Sequence, residues 1–109
     1  MEATITAAVT RQTLLELGIP VNRVGFQYLC IAVPAYAKDS MQSLTKELYP
    51  AIGRQFGYPN GYAVERAIRN VIVEAWEHGN ADAWVQYFPR CDKAPSNSLF
   101  IATLAERLK

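Results

Sequence analysis

The sequence predicts an all-α domain with short loops, and three observations lead there. Apolar residues at Val64, Ala67, Ile68, Val71, Ile72, Ala75 and Trp76 recur at helical spacing and draw one continuous stripe. Glycine and proline punctuate the chain at intervals of one short helix, at Gly18 and Pro20, Pro34, Pro50, Gly57 to Gly61, Gly79 and Pro89. No segment alternates convincingly between apolar and polar residues in the way of a half-buried strand.

Each element follows from its own residues. The first helix is expected from about Thr4 to Leu17, where Gly18 supplies a left-handed stop and Pro20 forbids continuation. Phe26 to Val33 is a short continuous apolar run that suits a buried strand or a helix; helix is preferred, with Pro34 expected to kink or end it. Ser43 caps a short helix carrying Leu44 and Leu48, and Pro50 fits the first turn of another that reaches Phe56. Gly57 to Gly61 is dense in turn formers and reads as a loop. The striped helix then runs to His78 and Gly79, with Glu65, Arg66, Arg69, Asn70, Val73, Glu74 and Glu77 left on its outer face. Asn80 caps a further short helix containing Trp84, Tyr87 and Phe88, which Pro89 stops. After a loop with Cys91 and Pro95, the last helix is capped from Ser96, Asn97 and Ser98 and turns Phe100, Ile101, Leu104 and Leu108 inward.

Composition narrows the function. With 109 residues, half of them apolar and 19% charged, the chain is an ordinary globular domain with one core. Cys30 and Cys91 lie far apart and in no C-x-x-C pair, which fits reduced thiols in a cytosolic protein and excludes a redox motif or a four-ligand zinc site. The N-terminus has no basic region leading into an apolar core, and no stretch approaches the roughly 18 apolar residues of a membrane span. The net charge of +1 hides a modest central excess. Lys38, Lys46, Arg54, Arg66 and Arg69 outnumber Asp39, Glu47 and Glu65 between Lys38 and Asn70, while the flanking segments are neutral or slightly acidic.

Enzyme chemistry finds no constellation. His78 stands alone at a helix end, where a cap is the ordinary role, and no nucleophile elbow, phosphate-binding glycine loop or H-E-x-x-H motif occurs. No catalytic residue, metal or cofactor is implied. A helix, a glycine-bearing turn and a second helix with arginines on its first exposed turns is, by contrast, what a helix-turn-helix reader needs. In the major groove arginine bridges O6 and N7 of guanine, and glutamate accepts from the amino group of cytosine. Glu65, Arg66 and Arg69 have those types at that spacing, although periodicity alone equally describes a salt-bridged surface with Glu65 pairing Arg69.

Several segments in order break that tie. Leu44 to Pro50 (LTKELYP), Val64 to Arg69 (VERAIR) followed by Glu74 to Trp76 and Gly79-Asn80, Asn97 to Ala102 (NSLFIA), and the leading Leu17 to Pro20 and Tyr28-Leu29 resemble the C-terminal DNA-binding domain of the stage 0 sporulation response regulator family. The resemblance covers nearly the whole chain. It implies a compact bundle of about six helices containing a helix-turn-helix, a cytoplasmic location, and a sequence-specific transcription regulator that reads a short operator box in double-stranded DNA. Matched residue by residue, it assigns base reading to Glu65, Arg66 and Arg69, with Asn70, Lys46 and Arg54 as candidate backbone contacts. The segment from about Gly79 to Phe88 matches the region expected to touch the sigma subunit of RNA polymerase, which makes Asn80, Trp84 and Tyr87 candidate partner contacts.

The departures define the competing reading. Residues 1–109 are expected to form a single helix-turn-helix domain, with nothing that resembles the phosphorylated receiver domain of the family. The turn before the reading helix is one residue longer, Tyr62-Ala63 stands where a serine and a basic residue are usual, Asn70 replaces a histidine, and Cys30-Ile31 replaces a charged pair. The alternative is therefore a protein-interaction module of the same fold that has lost useful DNA affinity and binds polymerase or a partner protein. With no heptad seam, the chain is expected to be a monomer in solution that pairs only on tandem DNA sites.

Overall fold

Residues 6–108 are described by a computed structural model, and among them the chain forms six α-helices and one π-helical turn, with no strand. The start expected at Thr4 lies outside the described residues; within them α1 spans Ala7–Leu17, and the Thr6 hydroxyl accepts from the Val9 amide at 3.2 Å. The helix stops as its sequence requires. Gly18 takes a left-handed φ of 86°, and its amide and that of Ile19 close back on Leu15 and Leu14.

The second helix, α2 (Val24–Lys38), does not end at Pro34, the stronger of the two outcomes expected there, but runs four residues beyond the proline. Proline removes only its own bond to the Cys30 carbonyl, while the turn that follows is held from outside the helix. Asp39 N and the Gln42 side-chain amide both donate to the Ala35 carbonyl, at 3.1 and 3.0 Å, and Ala35, Tyr36 and Ala37 pack on the core. Tertiary contact overrides a local penalty.

The short helix expected after Ser43 is a π turn, Leu44–Leu48. Ser43 accepts from Lys46 N through its hydroxyl, and its own amide donates to the Glu47 carboxylate at 2.9 Å, a capping box stretched by the one residue that the wider turn adds. The chain passes directly into α3 (Tyr49–Gln55), with Pro50 in its first turn. Gly57, at φ 85°, ends α3 as Gly18 ends α1, its amide donating to Arg54 and that of Tyr58 to Gly53. Residues 56–61 then lead into α4 (Tyr62–His78). Gly61 has to be glycine, since a β-carbon there would sit 2.7 Å from the backbone of Tyr49 and Pro50. The turn is thereby pressed against α3, and this fixes where α4 begins.

Two short helices complete the fold. α5 (Ala81–Tyr87) is capped by Asn80, and Phe88, expected inside it, is the residue that ends it. α6 (Asn97–Arg107) is capped by Ser96, whose hydroxyl accepts from Leu99 N at 3.2 Å. α2 lies at the centre and packs against α1, α4 and α6. The core joins Leu14 and Leu17 of α1, Phe26, Tyr28 and Leu29 of α2, the α4 stripe, and Phe100, Ile101 and Leu104 of α6. Ala67 and Trp76, at the edges of the stripe, are half-buried, as is Leu108. No helix among the described residues is long and apolar enough to cross a membrane.

The ends of α1, α4 and α5 meet at one point. The Trp84 indole N–H donates to the Leu17 and Ala75 carbonyls at 2.9 and 3.1 Å. Gly79 closes α4 where the sequence places its end, with an extended rather than a left-handed backbone. A β-carbon on it would collide with the carbonyls of Leu17 and Ala75.

Candidate nucleic-acid interface

α4 presents two faces of opposite character. Val64, Ile68, Val71, Ile72 and Ala75 are buried, and Arg66, Arg69 and Asn70 are exposed on the other side, with Glu65 half-buried between. This division follows from the 3.6-residue period of the sequence. The first turn is set from outside α4, because the Asn60 carboxamide oxygen accepts from Tyr62 N at 2.9 Å and Gly61, the residue before the helix, offers no side chain.

Glu65, Arg66, Arg69 and Asn70 line one shallow, open cleft of about 640 Å³. Its walls are the π turn, through Leu44 and Thr45, and the start of α6, through Ser96 to Ser98. The four residues singled out from sequence on α4 are thus brought together. Lys46 is exposed on the π turn beside Thr45, and Arg54 is exposed at the end of α3 away from the cleft lining.

The two arginines are held differently. Arg69 reaches across to the loop just before α6 and donates through Nη1 to the Pro95 carbonyl at 3.1 Å. Arg66 lies with its guanidinium carbon 5.6 Å from the centroid of the Tyr62 ring, within the range of a cation–π contact. Glu65 is engaged through its backbone, its carbonyl accepting from Asn97 Nδ2 at 2.9 Å. Neither Arg69 nor Glu65 is committed to the i, i+4 ion pair that a plain surface helix would suggest; the salt bridge that does engage this helix joins Glu74 to Arg23 at 3.2 Å.

Tyr49, which also lines the cleft, is buried. Burial pushes its phenol above the ordinary tyrosine value, the Asn97 side chain draws it back, and the Glu65 carboxylate pushes it up again. Tyr49, Glu65 and Asn97 therefore join α3, α4 and α6 within the cleft lining. Tyr62, one helical turn before Arg66, enters the sequence reading only as a departure from the family pattern and not as a site residue. The signal was its spacing, since positions 62, 66 and 69 follow one face of the helix.

The α5 segment corrects a sequence expectation. Trp84 is only 3% exposed, its one polar atom is satisfied inside the protein, and its ring packs among Trp76, Phe88 and Phe100. As a core residue it offers no contact surface to a partner. Tyr87 is half-buried beneath the Arg107 guanidinium, 5.0 Å from its ring, while Asn80 is exposed and serves as the α5 cap.

Compared with known protein families, residues 10–108 match the model of the sporulation initiation factor Spo0A C-terminal domain.

Proposed function

The chain belongs to the Spo0A C-terminal family, a family of DNA-binding effector domains and not of enzymes, and on that premise we propose that it regulates transcription by reading a short operator box through the exposed face of α4. The observation that carries this reading is the pairing of Arg66 and Arg69 in one open cleft, opposite the buried stripe of the same helix. Two guanidinium groups one helical turn apart are suited to successive base pairs in the major groove, with Glu65 beside them as an acceptor for a cytosine amino group. α3 and the turn at residues 56–61 act as the first helix and the turn of the helix-turn-helix. Asn70, Lys46 and Arg54 steady the DNA backbone. Asn80 and Tyr87 remain the candidates for contact with the sigma subunit, and the chain acts as a cytoplasmic monomer that pairs on tandem boxes.

The test is a titration of the chain against the family's operator box and a scrambled duplex at two salt concentrations. Preference for the operator box is expected, with Arg66→Ala lowering the ratio of specific to nonspecific affinity by the equivalent of roughly 1 to 3 kcal/mol. Lys46→Ala and Arg54→Ala should weaken both duplexes together and flatten the salt dependence. Equal affinity for both duplexes in the unaltered chain would transfer the case to a protein-interaction module of the same fold.

A further inference from the structure

We propose that Tyr62 is a positioning residue for Arg66, fixing the direction in which its guanidinium leaves the helix; this rests on the reading of α4 as the DNA-reading helix. Tyr62 is the first residue of α4 and is 63% exposed, although a tyrosine ring on a protein surface gains little by facing water. Its backbone is anchored on the N-terminal side. The Asn60 side chain holds its amide, and the adjoining Gly61 is packed against the backbone of Tyr49 and Pro50. The ring thus stands on an anchored backbone at the mouth of the cleft that Arg66 also lines.

Arg66 needs such a support more than its neighbour does. Arg69 is oriented by the hydrogen bond to Pro95, whereas the contact that orients the Arg66 guanidinium is the Tyr62 ring. A free arginine side chain has several rotatable bonds and loses that freedom when it docks on a base edge. A ring that already restricts the side chain reduces the loss, and it does so in the unbound protein. The support acts through the π face and not through the hydroxyl, so phenylalanine can replace tyrosine.

A double-mutant cycle tests this, using the duplex that the unaltered chain enriches from a randomised pool and a scrambled version of it. Tyr62→Ala is expected to lower the specificity ratio about two- to fivefold, the range of an exposed cation–π contact, with Tyr62→Phe restoring it. In an Arg66→Ala background, Tyr62→Ala should have no further effect. Thermal denaturation of Tyr62→Ala, an exposed position, should match the unaltered chain. A Tyr62→Ala loss that persists undiminished without Arg66 would mean that Tyr62 meets DNA itself, and would overturn the proposal. So would a Tyr62→Ala chain with unaltered specificity while Arg66→Ala loses it. If the unaltered chain enriches no duplex at all, the DNA-reading assignment fails, and the role of Tyr62 fails with it.

Discussion

Arg66 and Arg69 look interchangeable in sequence, and one hydrogen bond separates them. Arg69 Nη1 ties α4 to the carbonyl of Pro95, just before α6, whereas Arg66 only rests on Tyr62. Replacing either should impair base reading, but only Arg69→Ala should also cost stability. Losing one such bond costs about 1 kcal/mol. For a domain of this size that lowers Tm by about 4–8 °C, which calorimetry would detect, against a near-unchanged Tm for Arg66→Ala. An Arg69→Ala chain as stable as the original would show that the bond to Pro95 contributes nothing to the fold. The bond spans 26 positions of sequence, which is why no local pattern announced it. The exposed character of Arg66, Arg69 and Asn70 was legible for the opposite reason, being written in the period of a single helix.

Among the elements, the caps were readable and the proline was not. Ser43, Asn80 and Ser96 each satisfy amides two or three residues ahead, so their meaning is local. Gly18 likewise announced a left-handed stop. Pro34 carries a local penalty that distant packing outweighs, and α2 continues through it. Replacing Pro34 with alanine should return a hydrogen-bond donor to the helix and raise stability by about 1–2 kcal/mol. That gain is less than the full interior penalty, because proline also restricts the unfolded chain. Urea denaturation reads the difference as a higher midpoint with an unchanged slope. A lowered midpoint would mean that the proline ring is itself required for the packing of α2. The π turn was equally hidden, because a one-residue widening leaves the spacing of Leu44 and Leu48 compatible with an ordinary helix.

For the molecule as a whole, the central helix makes stability depend on alkaline pH. Tyr28 of α2 is buried against Phe56, and burial, reinforced by the Tyr58 hydroxyl, pushes its phenol up to about 12. The folded state therefore holds this proton where the unfolded chain releases it. Its stabilising effect is complete below the ordinary tyrosine value near 10 and is lost as pH rises from there toward 12. Stability should fall across that window by up to about 1.4 kcal/mol per pH unit from this group. Tyr28→Phe should flatten the decline, as measured by urea denaturation at successive pH values; an equally steep decline in Tyr28→Phe would place its origin elsewhere.

The junction where Trp84 bridges the ends of α1 and α4 has an optical consequence. The chain has two tryptophans, Trp76 and Trp84, and their rings meet edge to face at 5.3 Å. Neither lines the cleft that holds Arg66 and Arg69. The tryptophan emission therefore comes from one place, where half-buried Trp76 meets buried Trp84, whose indole N–H is already bonded to protein carbonyls. It will shift to longer wavelength when the three helix ends separate and water enters. Direct quenching by a nucleic acid seated on α4 is not expected, so the native fluorescence follows folding while the binding surface calls for a dye of its own.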